Sequence, residues 1–285
     1  MRAISVAAAA LAAALVPASC SLLPPDDPVR VADWSVEDGS KGTAQERLDF
    51  AEGTLKIKRT ATFSVRIPSA PFSTTGSFDL KREAADYTLK VKVGKVTTRV
   101  RTRLVGGRSY VQFATNDPQG SAFQQCWVRY EGDVDAAPLP YAASLVLDPV
   151  AMGVVEDEKD AVLARVRVLD ALGAALPKLV TKLPEDFDPD ARIPALVTLR
   201  GKTFASVTYD LVDLKKALKE QEIDLEKLSA DAKDSGRDFI DNATVTVRYT
   251  GIGSKADIPK PPRRTVMTVD ASKPDATPKL CADAR

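Results

Sequence analysis

The chain contains no histidine. That absence removes every histidine general base, every Ser-His-Asp triad and every histidine-ligated zinc site. Its three cysteines fall short of a four-thiolate zinc site. Glycine-rich phosphate loops, Ser-x-x-Lys pairs and nucleophile elbows are missing as well. No carboxylate pair stands out, so the reading is a non-enzyme with no cofactor and no metal. Charge of one sign is also lacking: 40 Lys and Arg face 39 Asp and Glu, for a net charge of +1. A nucleic-acid binder would be clearly basic, so that class of partner is set aside. Long hydrophobic runs are confined to the first sixteen residues. No later segment approaches the roughly 20 apolar residues that a bilayer span requires.

What remains is 285 residues, 44% hydrophobic and 28% charged, enough to bury a core in one or two domains. The first nineteen read as an export signal. Arg2 is the only charged side chain before Cys20, Ala3 to Val16 is small or apolar, and Pro17-Ala18-Ser19 leads out of the run. Leu15-Val16-Pro17-Ala18-Ser19-Cys20 resembles a bacterial lipobox. In that kind of signal the cysteine becomes the first mature residue and carries diacylglycerol on its sulfur. Cys20 is therefore the expected lipidation site, with Pro17 standing where leucine is usual. The alternative is ordinary secretory cleavage after Ala18, with Val16 and Ala18 as the small recognition pair.

Cysteine parity agrees with lipidation. Modifying Cys20 leaves Cys126 and Cys281, an even pair in an oxidising compartment. A Cys126–Cys281 disulfide would close a loop of about 155 residues, and the chain-entropy model gives about 4–5 kcal/mol for it as an upper value. The alternative is two free thiols. Without residues 1–19 the charged count is 39 against 39, because Arg2 is lost. Attachment to the outer face of the plasma membrane then falls to the lipid rather than to charge.

Residues 20–42, with Pro24-Pro25 and several aspartates, read as a flexible tether. Thr43 to about Lys56 predicts a helix, with Thr43 as cap, Glu46 three residues on, and Leu48, Ala51 and Leu55 on one face. From residue 60 the period becomes two. Ala61, Phe63, Val65 and Ile67 alternate with polar residues, as do Tyr87, Leu89, Val91 and Val93, and then Val96, Val100 and Leu104. Ser73-Thr74-Thr75-Gly76, Ala85-Asp86, Gly94-Lys95 and Gly106-Gly107 read as turns, and the last leads into Ser109-Tyr110-Val111-Gln112-Phe113. Residues 60–131 thus predict an antiparallel meander of about six strands.

Asp148-Pro149 reads as a helix start. Residues 160–180 fit both periods, through Val162, Val166, Leu169, Leu172 and Leu176, and helix is favoured because the apolar run continues. Residues 182–194 predict a loop. Asp186, Asp188 and Asp190 have calcium-loop spacing but lack the glycine and the final glutamate, so they read as solvated charge. Strands follow at 195–201 and 203–212. A charged helical stripe then runs from Asp213 to about Gly236 through Leu214, Leu218, Leu225 and Leu228, before a strand at 244–249. Asn242-Ala243-Thr244 matches a glycosylation acceptor, which reads as a chance match beside a signal that resembles a bacterial lipobox. One domain over 43–270 and a C-terminal tail, 271–285, complete the division.

Several of these features resemble the actinobacterial lipoprotein family of LppX and LprG. They are Gly76-Ser77-Phe78-Asp79, Tyr87-Thr88-Leu89-Lys90-Val91, Gly106-Gly107-Arg108-Ser109-Tyr110-Val111 and Trp127 in the next strand. At the end of the domain come Val245 to Gly253 and then Ile258-Pro259-Lys260-Pro261-Pro262. The resemblance covers residues 43–265, with 132–194 and 213–236 matching poorly. It implies an α+β fold similar to LolA, a strongly curved, unclosed antiparallel sheet with α-helices packed on its concave face. It also implies a lipid or glycolipid ligand held between sheet and helices by a monomer. The residues expected to line that pocket are Phe63, Val65, Ile67, Phe78, Leu80, Leu89, Val91, Val100 and Leu104. Read as residues alone, they equally form an ordinary core, which would suit an envelope-anchored adaptor or sensor domain without a ligand. Lys90, Lys92, Arg99, Arg101 and Arg103 alternate with the apolar row. They read as a solvated outer face, or as a contact for anionic headgroups or cell-wall polymers.

Overall fold

The computed structural model describes residues 31, 35–37, 41–68, 70–117, 126–131, 139–156, 158–225 and 243–270. The signal segment, Cys20, Asn242, Leu228 and Cys281 lie outside these residues. Helix α1 spans Lys41–Lys58 and buries Ala44, Leu48, Ala51 and Leu55, a spacing that puts all four on one face. It begins two residues before Thr43, so Thr43 is not its cap. Gly53 faces open space and is tolerated there. The helix ends where Arg59 takes a left-handed conformation, φ 67°, and donates its N–H to the Leu55 carbonyl at 2.6 Å.

Six strands follow: β1 Thr60–Arg66, β2 Phe72–Asp79, β3 Ala84–Val93, β4 Val96–Val105, β5 Arg108–Thr115 and β6 Trp127–Glu131. Gly106 and Gly107 both have positive φ, 59° and 67°, which a two-residue hairpin link between twisted strands requires. Two expected turns are strand instead. Ser73–Gly76 lies inside β2, because a Cβ on Gly76 would meet the Tyr87 Cβ at 2.4 Å. The glycine there serves close approach between strands rather than a turn. Ala85-Asp86 lies inside β3. The real turn is at 80–83, where the Asp79 carboxylate accepts the N–H groups of Lys81 and Arg82 at 3.0 and 3.2 Å.

The second half departs further from expectation. Asp148-Pro149 starts no helix. After the short turn α2, Tyr141–Ser144, Asp148 sits at φ 63° with its carboxylate 2.6 Å from Arg192, and Pro149 leads into β7, Val150–Val154. Over 160–180 the helical reading fails in its first half. Ala161–Arg167 is strand β8, hydrogen-bonded between two neighbours and buried on both faces, and helix α3 begins only at Val168–Ala175, followed by α4, Pro177–Val180. The expected loop at 182–194 holds only to 191, because 192–194 already belong to the next strand, and within the loop Asp188 accepts the N–H of Asp190. Then come β9 Arg192–Arg200, β10 Thr203–Asp210, α5 Leu211–Glu220, β11 Thr244–Thr250 and β12 Val266–Asp270.

Among the described residues, twelve strands form one open sheet in the order β12-β6-β5-β4-β3-β2-β1-β11-β10-β9-β8-β7. Every pairing is antiparallel except β12 with β6. The chain therefore leaves central β11, crosses over β1 to β6 through residues 251–262, and closes the far edge. The folded part reaches back into the expected tether. Val31 is buried and donates its N–H to Asp210 at 2.7 Å, while Val36 bridges Val155 at the β7 edge. The main core lies on one face, where α1, α3 and α5 cover Phe63, Val65, Val197, Val207 and Val247. A smaller cluster, Val31, Val155, Ala161, Leu163 and Leu196, occupies the opposite face.

Candidate functional site: an open apolar strip and a basic outer face

Alternation along β1 to β5 separates two faces. On the helix side, register aligns Thr74, Leu89, Val100 and Phe113 in one row and Phe72, Val91, Thr98 and Thr115 in the next. The expected pocket residues divide between two environments. Phe63, Val65, Ile67, Phe78 and Leu104 are no more than 4% exposed and sit in the main core, with Leu80 packed at its edge. Phe63 stacks at a tilt on Phe78, with ring centroids 6.3 Å apart. Leu89, Val91 and Val100 are only half-buried and join none of the buried clusters.

Beyond them Phe113 is 37% exposed. On the far side stands a separate small cluster, Cys126, Val128 and Met267. An apolar strip therefore runs across β3 to β5 between two buried clusters, at the end of the strands remote from Phe78. Phe113 was absent from the expected lining. The signal was available: a two-residue Gly106-Gly107 link places Arg108 opposite Val105, and hence Phe113 opposite Val100.

Two tyrosines fasten the helices over the core. The Tyr209 hydroxyl donates to the Ala171 carbonyl in α3 at 2.6 Å, and the Tyr249 hydroxyl to the Ala142 carbonyl in α2 at 2.7 Å. Burial pushes both phenols well above their ordinary range, with the negative charge of Asp170 adding to it. Asp170 is buried, and burial raises its carboxyl even though Arg167 pairs with it at 2.8 Å. Gly173 lies flat against the Tyr141 ring, where a Cβ would come within 2.1 Å.

The outer face is more than a row of solvated cations. Asp86 accepts from Arg101 at 2.7 and 2.6 Å and from Arg103 at 2.9 and 2.6 Å. Burial pushes the Asp86 carboxyl up, but the two guanidinium groups outweigh it and hold it below the usual carboxylate value. Both guanidinium groups lie over the Trp127 ring, at 5.6 and 4.7 Å. Arg103 is buried and also donates to the Pro259 carbonyl at 2.8 Å, which seats the crossing segment on this face. Lys90, Lys92 and Arg99, by contrast, are exposed. Local sequence reads Ala85-Asp86 as a turn, so nothing in it singles out Asp86 as a partner for two arginines.

Cys126 is buried at the start of β6. Among the described residues, no helix is long and apolar enough to cross a membrane.

No family model and no curated relative matches the chain. Among solved structures it is similar to LprF from Mycobacterium bovis, at 13% identity over 78% of this chain and 99% of that one, with a TM-score of 0.41. It is also similar to the Mycobacterium tuberculosis lipoprotein LppX, at 10% identity over 77% of this chain and 100% of that one, with a TM-score of 0.39.

Proposed function

We propose that this chain is an envelope lipoprotein, anchored through Cys20 to the outer face of the plasma membrane, that binds and carries a hydrophobic acyl-chain or glycolipid ligand. The observation that carries the reading is the apolar strip of Leu89, Val91, Val100 and Phe113, left half-exposed beside a well-packed core. Water penalises such a strip, and each methylene buried on it gains about 0.8 kcal/mol. Three strands, β3 to β5, span about 10 Å, room for acyl chains laid side by side. The ligand would thus lie on the outer part of the helix-side face, not beneath the helices. No catalytic step is invoked.

A second reading, an adaptor or sensor domain without a ligand, is favoured by the tight packing of Phe63, Val65, Ile67, Phe78 and Leu104. One pair of variants separates the two. Val91→Trp should abolish lipid co-purifying with the full chain, read by extraction and mass spectrometry, and leave the melting temperature unchanged. Val65→Trp should overpack the core and cost about 1–3 kcal/mol of stability. A wild-type protein that carries no lipid from a lipid-rich host would overturn the carrier reading in favour of the adaptor.

A further inference from the structure

Strand β3 turns into β4 through Gly94-Lys95, and Val93 faces Val96 as the closing pair of the hairpin. Phe72 is the last residue of β2 to pair, opposite Val91, and Thr115 the last of β5, opposite Thr98. The tip therefore stands two residues beyond the paired part of both neighbours. Val93 and Val96 lie on the helix side, so the apolar strip runs out to this tip, where Val96 is 37% exposed. Asn116 holds the tip in shape: its side chain accepts the Thr97 N–H at 2.6 Å and donates to the Lys95 carbonyl at 3.1 Å. Lys90, Lys92, Lys95 and Arg99 surround it. All four are exposed, and none forms an ion pair among the described residues. They outnumber Asp117, the exposed carboxylate at this end of β5. The acidic loop 185–190 precedes β9, five strands from β3 and about 24 Å away along the sheet, well beyond a Debye length.

The chain enters the fold at this same end. Val31 donates to Asp210. Register then links Asp210 to Thr244, Thr246 to Arg66, Arg66 to Ser73 and Ser73 to Lys90. Only four strand spacings, about 19 Å, separate β10 from β3 along the sheet. Cys20 precedes Val31 by eleven residues, which reach at most about 36–40 Å. An anchor at Cys20 and the hairpin tip can thus meet one membrane.

We propose that the β3–β4 tip docks on the anionic bilayer that carries the anchor, with Val93 and Val96 in the interface and the four cations on lipid phosphates. An anionic polymer would satisfy the cations but leave the valines in water; a bilayer interface takes both. The docking rests on anchorage through Cys20 as proposed above. It also gives the strip a doorway, because an acyl chain leaving the bilayer at the tip passes Val93 and Val96 to reach Val91 and Val100.

The full chain is reconstituted through its own anchor into vesicles of equal parts phosphatidylglycerol and phosphatidylcholine, or of phosphatidylcholine alone, with part of the phosphatidylcholine brominated on its acyl chains. Tryptophan fluorescence is read against the wild type. Val96→Trp should be quenched in the anionic vesicles, and salt should relieve the quenching. Adding Lys95→Gln to that variant should lower the ratio of docked to free tip about fivefold, the value of one cation at an anionic surface. Ile57→Trp, 76% exposed on α1 at the opposite end of the sheet, should remain unquenched. A chain that floats with the anionic vesicles while Val96→Trp stays unquenched would overturn the docking and leave the anchor standing. Equal quenching in phosphatidylcholine alone would report lipid lying on the strip instead, and would overturn it too. Cross-links between copies through Lys95, with Val96→Trp unquenched, would mean that a second copy covers the tip. A chain that floats with neither vesicle lacks its anchor, which overturns the docking together with the anchored reading. Lipid co-purification, the test of the carrier reading, is a separate measurement and is unaffected by any of these outcomes.

Discussion

Asp86 accepts hydrogen bonds from Arg101 and Arg103 at once, and Arg103 has almost no contact with water. Removing the carboxylate strands a buried guanidinium between Trp127 and the crossing segment. Asp86→Ala should therefore cost about 3 kcal/mol, the low end for a broken buried pair, since Arg101 stays partly solvated. The effect depends on pH with a definite sign. The folded carboxyl titrates below its ordinary value of 3.8, so the contribution is present above that value and is lost as pH falls through the lowered one. Melting curves of wild type and variant should show a full gap at neutral pH that closes in acid below about pH 3.8. A gap that is independent of pH would show that the charge is not the cause. The same residue shows why side-chain chemistry was hard to read in advance. Asp86 and Gly76 are both turn formers by composition, yet both lie mid-strand, one held by arginines across the sheet and the other by the Tyr87 backbone and Cβ.

Helices α2 and α3 are short, and α2 has no side-chain cap on its first turn. Elements of this length are marginal alone and depend on tertiary fastening. The Tyr209 and Tyr249 hydroxyls supply it from β10 and β11. Tyr209→Phe and Tyr249→Phe should each cost about 1 kcal/mol in denaturant unfolding, the net value of one buried hydrogen bond. Hydrogen exchange should locate the losses: Tyr249→Phe should speed exchange at the α2 amides first, and Tyr209→Phe at those of α3. Exchange that rises uniformly over the sheet would contradict the fastening role. Long amphipathic elements such as α1, β1 and β4 were legible because one periodicity dominates each. Strand β8 was not, because it is buried on both faces, and its residues satisfy the helical and the extended pattern equally.

At the scale of the molecule, the parallel pairing of β12 with β6 sets Val266, the start of β12, opposite Trp127, next to Cys126. Asp270 stands opposite Glu131, eleven residues before Cys281. The proposed Cys126–Cys281 bridge would lock that edge strand. Cys126→Ser and Cys281→Ser should then lower stability by equal amounts, at most about 4–5 kcal/mol, and the double variant should cost no more than either single one. Two titratable thiols in the unreduced chain would end the idea. The anchor is tested separately: Cys20→Ser should move the protein from the membrane pellet to the soluble fraction, and retention in the pellet would exclude the lipid as its attachment.

Local order followed from the sequence by itself: the meander of β1 to β6, the glycine hairpins, and the apolar and basic faces. Each of these depends on neighbours a few residues apart, where period and turn chemistry act directly. Tertiary structure decided which apolar residues became core and which stayed open. Val65 and Val91 occupy equivalent alternating positions, yet one lies under the helices and the other beyond them. The crossing of 251–262 over the outer face, and the pairing of Asp86 with two arginines beneath it, were likewise settled by tertiary structure. Alternation specifies the side of a sheet a residue faces, whereas cover over that side comes from elements distant in sequence, whose docking no local period encodes.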